Sequence, residues 1–143
     1  MIIIRMDRGE KLLESIRETI KERNIQDGTV VCGYGTLSDC KMHMVTSYNT
    51  FPADNDFPEW HDAPFEIASM TGVIADGNPH IHMCVSLGNQ TFAGHLEEGC
   101  AVSYVGEVVI YEHSSLKMTR VPTEWEPGLE GPDHLVAKNG ELE

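Results

Sequence analysis

The sequence predicts an α+β single domain: one main amphipathic helix packed on a largely antiparallel sheet of about seven strands. Three observations carry that prediction. Only one stretch has helical periodicity, with Leu12, Leu13, Ile16 and Ile20 on one face and Lys11, Glu14, Arg17, Glu18 and Lys21 on the other. From Thr29 to Val121 the chain reads instead as β-rich runs broken by turn residues. At 143 residues, 41% of them apolar, it suits a single core.

The elements follow in order. Met1 to Met6 is apolar enough for a first strand. Asp7 and Glu10 have capping-box spacing, so a helix is expected from there to about Arg23, ended by Asn24 and a turn at Asp27-Gly28. TVVCGYGTL (29–37) and CKMHMVTSY (40–48) read as two strands joined by a turn at Ser38-Asp39. Residues 49–63, with two prolines and four acids, read as a long exposed loop. PFEIASMTGVIA (64–75) is the next strand, stopped by Asp76-Gly77-Asn78-Pro79. HIHMCVSL and TFAGHL form a hairpin around Gly88-Asn89, and 101–113 with 116–121 a last hairpin around Ser114-Ser115. This places the domain at residues 1–121. Residues 122–143 are an acidic C-terminal tail, partly docked or flexible, in which Trp125, Leu129, Leu135 and Val136 offer docking points.

Charge and composition narrow the function. A formal net charge of −13 favours solubility and repels a phosphate backbone, so binding to DNA by this chain alone is disfavoured. No run approaches the ~18 apolar residues of a membrane span, and three isoleucines do not make a signal-peptide core. The expected compartment is the cytoplasm. Cys32, Cys40, Cys84 and Cys100 form no C-x-x-C pair and are expected to be reduced and mostly buried.

The stretch PHIHM (79–83) carries the chemistry. On a strand, His80 and His82 share a face, with Cα atoms roughly 6.5–7 Å apart. Gly-Asn is a two-residue hairpin loop, so Leu87 should pair with Gln90 and His82 with His95. In that register Ile81, Met83, Val85, Leu87, Phe92 and Leu96 make a core face. His80, His82, Cys84, Ser86, Thr91, Ala93, His95 and Glu97 make the other. A slip of one residue would mix the two sets. Three imidazoles then converge on one patch. With water they make the open shell of a catalytic zinc site, which also suits other borderline divalent metals. Cys84, Glu97 or Glu98 could complete it. The competing reading is a polar pocket or subunit contact without metal.

Several of these segments are familiar together. MDRGEKLLESIRE, GYGTLSD, FEIASMTGVI, PHIHMCVSL and FAGHLEEGCAV, in this order, resemble the PPC domain (plant and prokaryote conserved domain), from about Arg5 to Tyr111. The resemblance implies an α+β fold, assembly as a homotrimer, and a metal site. His80 and His82 fit the family's H-x-H, His95 the histidine of G-H-L, and Glu98 the glutamate before the glycine. Prokaryotic members carry a DNA-binding label, and plant members add AT-hooks, but this chain has no R-G-R-P core.

Three function classes follow. The first is a trimeric metal-binding module, zinc being the expected ion, that binds or regulates a small molecule or a protein partner. The second is a metal-dependent, hydrolase-like enzyme in which Glu98 or Glu97 is the catalytic base. The third is DNA binding. His43, His61, His113 and His134 are read as ordinary sheet or surface residues, Glu66 as a buried partner or an outward edge residue, and Trp60 and Trp125 as packing residues.

Overall fold

The computed structural model describes residues 1–138. Strand β1 (Ile2–Asp7) leads into helix α1 (Leu12–Glu22), followed by the long strand β2 (Gly28–Val45). Short β3 (Asn55–Asp56) and β4 (Glu59–Trp60) lie within the acidic loop. β5 (Phe65–Ala75), β6 (Asn78–Leu87), β7 (Gln90–Leu96) and β8 (Ala101–Glu112) complete the main sheet. β9 (Met118–Glu126) and β10 (Leu129–Ala137) form a separate two-stranded sheet. One helix on a mostly antiparallel, eight-stranded sheet is the α+β class that the periodicities predict.

The helix forms where its apolar spacing places it, and Leu12, Leu13, Ile16 and Ile20 are buried. Burying each such side chain is worth about 1.5–3 kcal/mol. The Asp7–Glu10 signal works differently from a cap. The Glu10 carboxylate accepts the Asp7 N–H at 2.5 Å, but this closes a turn ahead of the helix, which starts at Leu12. Asn24 ends it in a left-handed conformation, φ 53°.

The sheet runs β1-β8-β2-β5-β6-β7, and β7 pairs again with the far half of β2, through Met42↔Leu96 and His43↔His95. The expected turn at Ser38-Asp39 is therefore absent. β2 continues through it as a single strand, and the bend is supplied by register shifts against β8 near Val30, Leu37 and Asp39. Bulges let one strand serve two sets of neighbours by increasing its local twist. Two glycines let β2 approach its neighbours closely, Gly35 against β8 and Gly94 at the β7 closure. At Gly35, φ 137°, a Cβ would lie 2.2 Å from the Val105 carbonyl oxygen. At Gly94 it would lie 2.5 Å from that of His43. Phe65, Met42, Met70, Ile81, Leu96 and Ile110 are among the fully buried side chains of the single core cluster.

The C-terminal segment departs from expectation. β9 pairs with β10 rather than with β8, so no hairpin forms around Ser114-Ser115, and the expected boundary at residue 122 falls inside β9. The hairpin is tied to the body by Asp27, which is buried. Its carboxylate accepts the Met118 N–H at 2.7 Å and faces Lys117 Nζ at 3.4 Å. Lys138 pairs with Asp76. The rest of the expected tail, 139–143, lies outside the described residues. No helix among the described residues is long and apolar enough to cross a membrane.

Candidate metal centre

The β6–β7 hairpin has the register that Gly88-Asn89 predicts: Leu87↔Gln90, Val85↔Phe92 and His82↔His95. Gly88 adopts φ 61°, which the loop requires. Ile81, Met83, Val85 and Leu96 are buried, while His80 and His82 face outward. Because β7 also pairs with β2, the row continues. Thr71, His82, His95 and His43 stand side by side across β5, β6, β7 and β2.

The imidazoles touch. His80 Nε2 and His82 Nε2 are 3.2 Å apart. Two nitrogens bound to one tetrahedral zinc at 2.0–2.1 Å would be separated by roughly 3.3 Å, so this spacing suits a shared ion. The His95 ring centroid lies 4.8 Å from that of His80 and 5.6 Å from that of His82, both edge to face. His95 Nδ1 is 3.1 Å from Glu97 Oε1, which leaves its Nε2 free for an ion. This is the carboxylate–histidine arrangement that orients metal ligands.

His43 extends the cluster. Its ring stacks on His95 with centroids 4.5 Å apart, and its Nδ1 lies 2.6 Å from the same Glu97 oxygen. Ligand atoms of His43, His95 and Glu97 all fall within 4.8 Å of one another, and this is the grouping among the described residues whose donor atoms are close enough to hold an ion; His80 and His82 stand beside it. From sequence alone His43 is an ordinary sheet residue. Its strand neighbours gave no sign of the β2–β7 closure that brings it here.

The electrostatics favour the neutral form of His80 and His95. Loss of solvent around the ring, then repulsion by His95, Arg120, His82 and His43, pushes His80 down to about 4. Burial and the neighbouring His43 lower His95, with Glu97 opposing them. Burial alone would raise the Glu97 carboxyl. Hydrogen bonds and charge from His43 and His95 outweigh it and hold the group below its ordinary range. Neutral imidazoles beside an ionised carboxylate are a metal-ready donor set.

The other candidates are placed as follows. Glu98 pairs with Arg17 on α1 instead of meeting the histidines. Cys84 stands opposite Ala93, and Glu66, exposed, opposite Ser86. His61 bridges Asp39 and Glu59, and His113 bonds the Thr29 hydroxyl at 2.9 Å. Trp60 packs on Phe65 and Phe92. All four cysteines are free, Cys40 and Cys100 buried, Cys84 half-buried and Cys32 exposed.

A helix on an antiparallel sheet that closes through one long strand, with a histidine row on its outer face, defines a small α+β domain with a candidate metal centre. Residues 1–114 match the model of the Plants and Prokaryotes Conserved (PCC) domain, and the chain belongs to that family. Among solved structures it is similar to a plant- and prokaryote-conserved protein from Pyrococcus horikoshii (26% identity, TM-score 0.71), over 94% of this chain and 92% of that one. It shares its fold with a metal-containing protein from Archaeoglobus fulgidus (20% identity, TM-score 0.68), over 94% and 91%. It also shares it with a protein from Bacteroides thetaiotaomicron that carries a provisional DNA-binding label (22% identity, TM-score 0.71), over 92% and 90%. A curated relative, the bifunctional protein GlmU of a Synechococcus strain, is 23% identical over 120 residues. These residues are 83% of this chain but only 18% of that protein, so the chain spans about a fifth of the curated relatives it matches.

Proposed function

We propose that this protein is a divalent-metal-binding module, loaded with zinc through His80, His82 and His95, that works as a homotrimer in the cytoplasm. The observation that carries the reading is the convergence of those three imidazoles, two of them 3.2 Å apart, on one outward-facing patch backed by Glu97. A three-nitrogen shell leaves a coordination position for water or a ligand donor atom. The role is binding or regulation of a small molecule or protein. In the curated relative, four-fifths of a bifunctional protein lies outside the similarity, which suits a module attached to other machinery. Self-association is supported by the outer face of β1, β8 and β2, which exposes Ile3, Val31, Tyr34 and Tyr111. A cytoplasmic setting agrees with four unbridged cysteines.

A second reading has a specific observation behind it. In it Glu97, held ionised beside His95 and His43, would serve as general base on a metal-bound water if the ion sits on the His43, His95 and Glu97 side of the cluster, which would make the centre hydrolase-like. Glu98, tied to Arg17, is the weaker candidate. DNA binding is disfavoured by the charge of −13.

The test is elemental analysis of untagged protein beside a His82→Ala variant, with mass in solution recorded for both. Near-stoichiometric zinc in the parent, lost in the variant while a trimer persists, is the expected outcome. Metal absent from both after reconstitution would overturn the metal reading. A monomeric parent would overturn the trimer.

A further inference from the structure

Away from the histidines lies a second concavity. It is formed where the loop after β2 meets the tip of the β9–β10 hairpin, has a volume of about 510 Å³, and is open to solvent. That volume lies within the usual range for small-molecule sites, about 300–1,000 Å³. Its walls are aromatic and aliphatic: Tyr48, Phe51, Trp125 and Leu129. Trp125 is half exposed and Leu129 more so, so apolar surface here faces water in the isolated chain. The charged groups of the lining are Glu126 and Glu130, with no lysine or arginine among them.

We propose that this cavity binds a small organic cation, an alkylammonium or quaternary ammonium group carried on an apolar body. The chemistry is complementary on both counts. A weakly hydrated cation seated against Phe51 and Trp125, with Tyr48 at the exposed rim, would gain about 0.5–1 kcal/mol for each favourable pair at a solvent-open site. Glu126 and Glu130 supply the countercharge and repel anions. A neutral apolar ligand would gain nothing from the two carboxylates. An inorganic metal ion would gain little from aromatic walls. The site shares no lining residue with the histidine patch, so it stands whether or not that patch holds metal.

The test uses the full-length protein as purified, with phenyltrimethylammonium as the probe and tert-butylbenzene as its uncharged isostere. Ligand-observed NMR of the methyl singlets gives both affinities. The cation should bind saturably and at least ~10-fold more tightly than the isostere. Its affinity should fall at least ~10-fold in Glu126→Gln/Glu130→Gln and again in Trp125→Leu, and should weaken with added salt. The glutamine pair, being exposed, keeps the test valid if the tryptophan variant misfolds. Equal affinity for the isostere would overturn the proposal. So would the absence of saturation by about 10 mM, or an affinity unchanged in the glutamine variant.

Discussion

Replacing Glu97 separates the two ways in which this cluster could hold an ion. If His80, His82 and His95 are the ligands, Glu97 is a positioning residue. It accepts from His95 Nδ1 at 3.1 Å and from His43 Nδ1 at 2.6 Å, fixing which His95 nitrogen is free. Glutamine keeps one acceptor oxygen but loses the charge, and alanine loses both. Removing such a partner weakens metal binding about 10–100-fold, so Glu97→Gln should fall near the lower bound and Glu97→Ala near the upper. In free energy this is about 1.4–2.7 kcal/mol. The assay is competition for zinc against a chromophoric chelator at neutral pH, with His82→Ala as the complete-loss reference. If instead Glu97→Gln and His43→Ala abolish binding while His82→Ala retains it, the ion sits among His43, His95 and Glu97. If Glu97→Gln has no effect, the orienting role is wrong.

Three further outcomes are expected. In metal-free protein, the neutral form of His80 is favoured by folding, with its pKa near 4 against 6.5 for the unstructured side chain. The unfolded chain therefore takes the proton first, and this contribution to stability is full above about pH 6.5 and lost as pH falls toward 4. Thermal midpoints measured across that window should decline less steeply in His80→Gln than in the parent, and parallel slopes would count against it. Asp27→Ala leaves the Met118 N–H without its buried acceptor and should cost about 1–3 kcal/mol by denaturant titration, with hydrogen exchange rising first in β9. Gly94→Ala drives a methyl against the His43 carbonyl, and overpacking of this kind costs about 1–3 kcal/mol. It should also weaken zinc binding, because it pushes β7 and His95 away from β2, and unchanged affinity would show that the β2 contact is dispensable.

What the sequence made legible was local. The Gly88-Asn89 loop states its own register, and that register sorts core from histidine face without any knowledge of the fold. The helix announces itself by spacing, although the Asp7–Glu10 pair closed a turn before it. The rest depended on distant partners. A Ser-Asp pair in a β-rich run reads equally as a turn or as a bulge in a continuing strand, and only pairing with β8 decides between them. His43 joins the cluster because β2 returns to β7, a closure that no window of residues encodes. Glu97 and Glu98 looked interchangeable, yet one meets two histidines and its neighbour meets Arg17 on the helix. The C-terminal hairpin was obscured by acid, Pro122 and Pro127, which resemble a tail when burial at Asp27 and Met118 is unseen.

The return of β2 onto β7 also decides where the main sheet ends. An open sheet has two borders of unpaired N–H and C=O groups, each a template for another extended chain. Here the closure covers the β7 border at His95 and Leu96, and β1 is the terminal strand at the other end of the order. That strand opens with three isoleucines, of which Ile3 is well exposed. Arg5 and Asp7 sit farther along it, paired with each other at 2.5 Å. A peptide adding to this sheet by backbone pairing would have to line up along Ile2–Asp7 and dehydrate that ion pair as it did so. Strand addition along the β1 border, whether by a partner or by a misfolded copy of the chain, thereby meets a six-residue edge with charges at one end.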